Sequence, residues 1–511
     1  MGRGELCAGC HLARTVIRAG PSAAPSGSSS GSGTEPPRMP AYPDPPDPLR
    51  VLHERPDECA FRTFTSRQAI FFGVLLGSVC VALLLRPIPT LVTINAAAMV
   101  FYLLIVFYKG LLAYLSLGRS ACVEVSPEDL ASLDPRQLPT YTILVPLYRE
   151  AEVLADLVES LASLDYPADR YEVFLLLEED DAATRAACAG MTLPPNFRLV
   201  VVPHSQPKTK PKACNWGLEL ATSECLVVYD AEDRPEADQL RKAAAAFGKL
   251  PESFACLQAK LNYYNPRQNV LTRLFTAEYA NWFDLTLPGL AAAGGPIPLG
   301  GTSNHFRTRV LRQLGGWDPF NVAEDCDLGV RLHKAGFRTA MMDSTTWEEA
   351  NSRLLSWIRQ RSRWTKGYFQ TYLVHMRSPL RLLRLLGLRQ FINFQMIVGG
   401  TGLCLLLNPV YWAMTAAWLL FRPAVVSAVF GPPWIYATGA ACLLLGNLLF
   451  VCLLAAACAQ RGHWDLVKYC LLAPFYWLMM SVGAYKALGQ LLVRPYYWEK
   501  TDHGFFETAT P

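Results

Sequence analysis

The sequence is poor in charge: only 18% of its 511 residues are Asp, Glu, Lys or Arg, whereas 51% are hydrophobic. This balance is too apolar for an ordinary soluble protein of this length and predicts membrane-spanning segments. The net charge is only +4, which is too small to favour a nucleic-acid-binding function. The basic residues are better explained as flanks of membrane spans.

Two other features are missing from the N-terminal part. Cys7 and Cys10 form a CxxC pair, but no second pair follows at a spacing suited to zinc, which argues against a metal role for them. The first 50 residues lack the apolar stretch of a signal peptide and are rich in Gly, Ser and Pro. Such a composition cannot bury enough apolar surface to offset its ordering entropy. We therefore expect residues 1–66 to be a disordered cytoplasmic tail.

Long apolar runs lie on both sides of a more polar central region. Ala69–Leu85 and Ile88–Phe107 are each long enough to cross ~30 Å of hydrocarbon as a helix, which predicts two spans within residues 67–118. Basic residues flank the pair, and only Arg86 separates the two runs. The positive-inside rule therefore predicts an integral protein of an inner or plasma membrane with its central region in the cytosol.

The C-terminal part predicts further membrane helices. Residues 376–390 mix Leu with Arg, which is typical of a helix in the membrane interface, although a cytosolic linker helix is the alternative. We expect three or four spans within residues 391–493, because Phe391–Phe421 is long and contains Asn408-Pro409, where it could turn as two helices. A cytosolic tail at residues 494–511 requires the even number, six spans in all.

The central region, residues 119–375, alternates short β-rich runs with helical patterns. Strands are predicted at Tyr141–Pro146, Tyr171–Leu177, Arg198–Val202 and Cys225–Asp230, with helices such as Ala151–Leu164 and Pro235–Phe247 between them. This alternation predicts an α/β domain with a parallel sheet. In such sheets ligands bind beyond the carboxyl ends of the strands.

Acidic residues follow two of these strands. The run Asp230-Ala231-Glu232-Asp233 concentrates negative charge, which a divalent cation bridging a diphosphate would offset. The alternative is a solvated acidic turn before a helix, where acids favour the helix dipole. After the second predicted strand come Glu178 and Glu179, of which one carboxylate could accept a hydrogen bond from a uracil ring; a solvated loop is the alternative.

Two later clusters add candidate chemistry. A carboxylate of Glu324-Asp325-Cys326-Asp327 could act as a general base toward an acceptor hydroxyl. In the run from Gln360 to Trp364, Arg363 could neutralise phosphate and Trp364 offers a flat face to a sugar ring.

The ordered set resembles the processive members of glycosyltransferase family 2, of which cellulose synthase and hyaluronan synthase are the best-known types. The resemblance comprises the strand-end acids, the segment Lys210-Pro-Lys212-Ala-Cys-Asn215, DxE, ED and QxxRW, and it covers about residues 139–375 with the flanking spans. It implies an α/β GT-A-type (Rossmann-like) cytosolic catalytic domain inserted between transmembrane helices. It also implies an inverting enzyme that uses a UDP-sugar with Mg²⁺ or Mn²⁺.

The resemblance assigns roles by position. Donor binding falls to residues at the first two strand ends and beyond: Pro146, Tyr148, Glu150, Glu178, Glu179, Lys212, Asp230 and Arg363. Glu179 is the first choice for the uracil contact and Glu178 its rival, while Lys212 would lie near the diphosphate. The metal ligands would be Asp230 with Glu232 or Asp233. Acceptor binding falls to Gly301, Thr302, Ser303, Gln360 and Trp364.

Asp325, next to Glu324, would be the catalytic base, with Glu324 or Asp327 as the alternatives. The family's TED reads Ala323-Glu324-Asp325 here, and its usual Asp pair reads Glu-Glu. These differences leave the donor sugar open.

Three functions remain open at this point. The leading one is a processive synthase that extrudes a β-linked polymer, and the second transfers a single sugar to a membrane lipid. The third is a scaffold or transporter with an inactive domain. The expected partners are a nucleotide-sugar donor, a growing glycan or lipid acceptor and membrane lipids, and an export partner or a second copy of the chain is compatible with them.

The C-terminal residues carry a separate hypothesis. Tyr497, Trp498 and Lys500 follow the last apolar run and are of types that contact sugars and phosphates. We expect them to form a lid over the donor pocket; an aromatic anchor in the membrane interface is the alternative.

Overall fold

The computed structural model describes residues 47–118, 121–497 and 499. Cys7 and Cys10, most of the expected tail, and Trp498 and Lys500 of the expected lid lie outside these residues. Within the described part, the chain forms an α/β domain flanked on both sides by long apolar helices.

Eight strands form one sheet at the centre of the α/β domain. In chain order they are β1 (Tyr141–Leu147), β2 (Tyr171–Glu178), β3 (Phe197–Val202), β4 (Cys225–Val228), β5 (Arg234–Pro235), β6 (Phe254–Tyr263), β7 (Asn304–Arg307) and β8 (Arg338–Glu348). The order across the sheet is β3-β2-β1-β4-β7-β6-β8-β5. Because β1 pairs in parallel with both β2 and β4, the carboxyl ends of these three strands lie at one edge.

Helices surround this sheet and continue on both sides of it. Up to the last strand they are α1 (Arg50–Glu54), α2 (Ser66–Leu85), α3 (Pro87–Ser116), α4 (Pro127–Ala131), α5 (Leu154–Ala162), α6 (Ala182–Ala189), α7 (Lys210–Leu220), α8 (Gln239–Lys249), α9 (Val270–Ala280), α10 (Leu287–Ala292), α11 (Thr308–Gln313) and α12 (Glu324–Lys334). After it come α13 (Leu354–His375), α14 (Pro379–Phe394), α15 (Gly400–Phe421), α16 (Ala424–Val429), α17 (Pro433–Ala441), α18 (Asn447–Gln460) and α19 (Ala473–Val493).

The apolar character of the first strands follows from burial on both faces of the sheet. In β1, Leu144 belongs to one core cluster and Ile143 to the other, and in β4 Leu226 and Val227 divide in the same way. Strands covered on both faces by helices are apolar throughout, not alternating. The four expected strands are confirmed, with ends that differ by one or two residues.

The sheet is mixed, so the expectation of a purely parallel sheet was wrong. β7 is antiparallel to both β4 and β6, and β5 is antiparallel to β8. β7 is only four residues long and starts with Asn304 and His305, so its polar sequence concealed a buried strand. Ser303, in the left-handed conformation with φ 57°, leads the chain into it. The expected α/β domain between long apolar helices is otherwise confirmed.

Residues 47–65, which we expected to belong to the disordered tail, are folded against the α/β domain. Val51, Cys59 and Ala60 are fully buried. The carboxylate of Asp318 accepts hydrogen bonds from the backbone N–H of Ala60, at 2.6 Å, and from the thiol of Cys59, at 3.1 Å. The segment is ordered because its few apolar residues fill a pocket beside Phe320.

Five helical segments in the described part are long and apolar enough to cross a membrane. They are Ser66–Leu85, Pro87–Ser116, Pro379–Phe421, Pro433–Gln460 and Trp464–Val493. Large apolar side chains are exposed along them; Leu84, for example, is 84% exposed. A surface of this kind suits hydrocarbon and not water.

The turn expected at Asn408-Pro409 was also wrong. α15 continues from Gly400 to Phe421 with Pro409 inside it. Pro is tolerated inside membrane helices because neighbouring groups can satisfy the freed carbonyl. The segment bends earlier, at Gly387, whose φ is 72°. At ~1.5 Å per residue, the 43 residues of this segment would otherwise extend well beyond the hydrocarbon layer.

The fifth apolar segment begins and ends against the α/β domain. Near its start, Arg267 donates to Asp465 at 2.8 Å. Beyond its end, Gln370 of α13 donates to the carbonyl of Pro495 at 3.1 Å, and Lys366 of α13 donates to that of Tyr497 at 2.6 Å. Both ends of this segment thus contact the α/β domain, and we predict that α19 packs along that domain instead of crossing a bilayer.

This geometry predicts the sidedness of three positions. In a background without accessible native cysteines, Gln460→Cys and Arg494→Cys should react with a membrane-impermeant maleimide only after cells are permeabilised. Ser427→Cys, which lies between the third and fourth apolar segments, should react in intact cells. If Arg494→Cys reacts from outside while Gln460→Cys does not, α19 crosses the membrane and this topology is wrong.

Candidate active site

A cavity of 450 Å³ lies between the carboxyl edge of β1, β2 and β4 and the membrane helices. Most side chains expected in a site line it: Pro146, Tyr148, Glu150, Glu178, Asp230, Glu232, Gly301, Thr302, Glu324, Asp325, Gln360, Arg363 and Trp364. The sheet explains this convergence, because parallel strands present their carboxyl ends at one edge. Glu179, Lys212, Asp233 and Ser303 do not line the cavity.

Of Glu178, the last residue of β2, and the adjacent Glu179, only Glu178 lines the cavity. Its carboxylate is almost fully buried and pairs with Lys212 at 2.9 Å. Burial raises the pKa of Glu178, and the Lys212 charge opposes that rise. Glu179 points outward and accepts a hydrogen bond from the backbone N–H of His204 at 2.8 Å. Our first choice for the uracil contact, Glu179, therefore lies outside the cavity and the rival Glu178 lies in it.

The lysine in the cavity is Lys210, whereas we had expected Lys212 there. Lys210 forms an ion pair with Asp230 and donates to the carbonyl oxygen of Gly301 at 2.7 Å. Lys212 is fully buried against Glu178. Since residues two apart on a helix point in different directions, the start of α7 at Lys210 decides which lysine reaches the cavity. That helix boundary was not evident from the sequence.

Asp233 stabilises the acidic turn through buried hydrogen bonds and does not line the cavity. Its carboxylate accepts hydrogen bonds from the backbone N–H of Asp230, at 2.7 Å, and from the hydroxyl of Thr302. Burial, and then repulsion from Asp230 and Glu232, raises the pKa of Asp233 well above its usual range. Ser303 is also structural, because its hydroxyl donates to that of Thr346 at 2.7 Å.

The sequence did not reveal a further cavity carboxylate, Glu348, at the end of β8. Burial and repulsion from Asp233, Glu232 and Asp230 raise the pKa of Glu348. No group of three His, Cys, Asp or Glu side chains among the described residues already has metal-site geometry. Oxygen ligands at Asp230, Glu232 and Glu348 nevertheless fit a hard divalent cation by chemistry, since a cation would relieve their repulsion.

Two acids at the start of α12 form a coupled pair. Asp325 accepts hydrogen bonds from the backbone N–H groups of Gly301 and, at 2.7 Å, Cys326. Burial raises the pKa of Asp325 to about 6 even though Lys210 and Arg363 oppose the rise. Burial and the Asp325 charge raise the pKa of Glu324 to about 8. Near neutral pH this pair therefore holds one proton, and the higher pKa of Glu324 favours that residue as its site.

The carboxylate of Asp327, an alternative base, is fully occupied by structural contacts. Its two carboxylate oxygens pair with Arg331 at 2.7 Å and with His375 at 2.9 Å, and all three side chains are buried. Burial alone would raise its pKa, but Arg331 and His375 hold the pKa of Asp327 at about 2. Asp327 is fully buried and does not line the cavity.

The QxxRW residues lie on α13 along one wall of the cavity. The side-chain oxygen of Gln360 is buried and has no hydrogen-bond partner among the described residues. The next residue, Arg361, pairs with Glu278 of α9 at 3.0 Å and donates to the hydroxyl of Tyr476 of α19, also at 3.0 Å. We missed this pair because its partners lie on separate helices far apart in sequence.

The far end of the cavity reaches the membrane helices. Thr401, Gly402 and Leu405 of α15 and Met480 of α19 form its wall there. A Cβ at Gly402 would lie 2.4 Å from the Phe369 ring, so glycine permits α15 to approach α13. The aromatic residues Tyr279, Trp282 and Phe283 line the stretch between the acids and this apolar end.

The lid residue within the described part, Tyr497, lies elsewhere. It lines a separate groove beside the catalytic cavity and is 47% exposed. Its backbone carbonyl accepts the hydrogen bond from Lys366. The hypothesis that Trp498 and Lys500 close the donor pocket concerns residues outside the described part.

Comparison with known proteins gives consistent matches. Residues 139–367 match the model of the family described as glycosyltransferase like family 2. The beta-monoglucosyldiacylglycerol synthase of Trichormus variabilis is 28% identical over 275 residues, which are 52% of this chain and 57% of that protein. The probable glycosyltransferase YdaM of Bacillus subtilis is 25% identical over 248 residues, which are 45% and 56% of the two chains. The chain thus matches little more than half the length of these relatives.

A solved structure is also similar. It is the mannosyltransferase PcManGT from Pyrobaculum calidifontis in complex with GDP-Man and Mn²⁺, with 20% identity and a TM-score of 0.48. The match covers 80% of this chain and 99% of that one.

The two lysines of α7 should differ sharply when each is replaced by Met. Lys212→Met leaves the Glu178 carboxylate buried without its partner, and it should cost ~3–5 kcal/mol of stability. Lys210→Met should leave the melting temperature of the detergent-solubilised protein near the wild-type value but weaken nucleotide-sugar binding.

The matched control is the double variant Glu178→Gln/Lys212→Met. It should recover most of the lost stability, because no buried charge remains unpaired. Equal melting temperatures for Lys210→Met and Lys212→Met would contradict the assignment.

Proposed function

Because residues 139–367 match the model of the glycosyltransferase like family 2, we propose that the protein transfers one sugar from a nucleotide-sugar donor to a hydroxyl group of a membrane lipid. The observation that supports this most strongly is the continuity of the cavity. One end holds the carboxylates and Lys210, and the other is walled by Leu405 and Met480 of the membrane helices. An acceptor with a polar head and apolar chains fits both ends.

The donor's diphosphate fits the charged end. A Mg²⁺ or Mn²⁺ ion bound by Asp230, Glu232 and Glu348 would neutralise part of the diphosphate charge. Lys210 and Arg363 of this chain supply positive charge beside those acids. They would stabilise the nucleoside diphosphate as it leaves. Glu178 and Tyr148, farther along the sheet edge, would contact the nucleoside.

Asp325 is our candidate for the general base. The lipid hydroxyl oxygen would attack the anomeric carbon while Asp325 takes its proton, and the sugar–phosphate bond breaks on the opposite side. The backbone N–H groups of Gly301 and Cys326 hold the Asp325 carboxylate in one orientation. The configuration at the anomeric carbon would be inverted, as the family resemblance implies.

The acceptor sits best between α13 and α15. The buried oxygen of Gln360 can accept a hydrogen bond from an acceptor hydroxyl. Apolar side chains at the membrane end suit the chains of a lipid. Three similar proteins are named beta-monoglucosyldiacylglycerol synthase, which supports a lipid acceptor here.

A processive synthase is the second candidate. The aromatic residues Tyr279, Trp282 and Trp364 line the cavity and could stack on successive sugar rings. We rank it second because a sugar polymer needs many hydrogen-bonding partners. The wall formed by Thr401, Gly402, Leu405 and Met480 has only one side-chain hydroxyl, that of Thr401.

A product assay separates these candidates. Full-length protein in phosphatidylcholine vesicles containing diacylglycerol should release nucleotide from one of a panel of UDP- or GDP-hexoses, and mass spectrometry should find one hexose on the lipid. Excess EDTA should abolish the reaction. A long glycan would identify the processive synthase, and nucleotide release without any glycosylated product would refute both candidates.

The coupled acids predict a pH profile and a ranking of variants. Since Asp325 acts when deprotonated and its pKa is raised to about 6, kcat/KM should fall as the pH drops below about 6. Asp325→Asn should lose ~10²–10⁴-fold in rate while still binding nucleotide. Glu324→Gln should be milder, because Glu324, with a pKa of about 8, already carries a proton near neutral pH. The reverse ranking would make Glu324 the base.

A further inference from the structure

A second groove, with a volume of 1340 Å³, lies beside the catalytic cavity and shares Lys208 and Thr209 with it. Three membrane-proximal elements border it: the start of α2, the start of α14 and the end of α19. Nothing in the transfer reaction uses this groove. Its place where apolar helices meet the α/β domain corresponds to the headgroup layer of a membrane.

The groove is built by specific contacts. The guanidinium of Arg377 donates to the backbone carbonyls of Asp57, at 2.7 Å, and Cys59, at 3.0 Å, and so ties the N-terminal segment to the end of α13. The ring of Tyr496 stacks on that of Phe61 with centroids 6.2 Å apart. These contacts hold one wall in place without using the other arginines.

Those other arginines give the groove a strong positive charge. Six Lys and Arg residues line it against two Asp and Glu residues. Lys334 pairs with Glu58 at 2.5 Å, and Lys208 pairs with Asp180, which lies outside the groove. Arg62, Arg67 and Arg381 are exposed and form no ion pair or hydrogen bond through their side chains with any described residue.

The same groove also presents apolar side chains to its outer side. Phe64, Leu385 and Leu492 line it and are 37%, 48% and 66% exposed. Exposed leucines beside arginines that lack acidic partners match an amphipathic ligand with a negatively charged head and hydrocarbon chains. A soluble phosphate compound would leave the apolar wall uncovered.

We propose that this groove binds an anionic phospholipid of the cytosolic leaflet, with its phosphate between Arg62, Arg67 and Arg381 and its acyl chains along Leu385 and Leu492. This partner lies beyond the proposed transfer reaction and does not depend on it. Clusters of Lys and Arg next to a membrane helix are attracted to anionic lipid headgroups. A groove that combines arginines with apolar side chains adds selectivity for a bound lipid over diffuse attraction to the surface.

The test is native mass spectrometry of the detergent-purified full chain with phosphatidylglycerol or phosphatidylcholine. We expect retention of phosphatidylglycerol over phosphatidylcholine, and an affinity for phosphatidylglycerol at least ~5-fold lower in Arg62→Gln/Arg381→Gln. The matched control is Arg384→Gln/Arg389→Gln, which removes the same charge from exposed residues of α14 that do not line the groove. The control should bind like the wild type.

Three results would overturn the proposal. They are equal losses in the groove and control variants, equal retention of the two lipids by the wild type, and displacement of phosphatidylglycerol by millimolar inorganic phosphate. Arg67→Gln is measured in parallel. If the double variant misfolds, the comparison of Arg67→Gln with the wild type still tests the proposal. Because the experiment measures lipid binding, the groove proposal can be wrong while the proposed sugar transfer is correct. Equally, the groove proposal can be correct while the proposed sugar transfer is wrong.

Discussion

Mutual repulsion among carboxylates is the constraint on which the rest of the site depends. Acids from the end of β2, the turn after β4, the start of α12 and the end of β8 converge on one cavity. The chain offsets this charge in three ways: ion pairs of Lys212 with Glu178 and of Lys210 with Asp230, hydrogen bonds from backbone N–H groups, and a proton held on Glu324. The ion pairs and hydrogen bonds also hold the carboxylates in defined orientations. The same contacts therefore reduce the repulsion among the acids and position them in the cavity.

A second buried charge joins the membrane helices to this site. Arg361 lies on α13 between Glu278 of α9 and Tyr476 of α19, with its guanidinium over the rings of Phe275, at 4.5 Å, and Trp364, at 4.8 Å. A buried ion pair contributes little net stability, but losing one partner is costly. Its main effect is therefore to fix α13, which presents Gln360, Arg363 and Trp364 to the cavity.

The pattern of apolar and polar residues along the sequence predicted those strands whose formation depends mainly on neighbouring residues. The strands around Tyr141, Tyr171 and Cys225 are apolar runs bounded by polar residues, and their carboxyl ends carry the acids that face the cavity. Which side chains of a helix face the cavity depends on where the helix begins and on how it packs against the rest of the protein. For this reason the sequence led us to expect Lys212 in the cavity, where Lys210 lies. Likewise, β7 is too short and polar to stand out, and Glu348 reaches the cavity only through strand pairing across the sheet.

Hydropathy predicted the apolar helices but not what each one contacts. Length and composition do not distinguish a helix that crosses a bilayer from one that packs along the domain. For α19, the contacts of Tyr476 with Glu278 and Arg361 favour packing along the domain. Because α15 and α19 also wall the cavity at Gly402 and Met480, the reaction space does not belong to the α/β domain alone. Without these helices, Arg361 would lose the Tyr476 hydroxyl and the acceptor end of the cavity would open to solvent. The apolar helices α15 and α19 are therefore a part of the site.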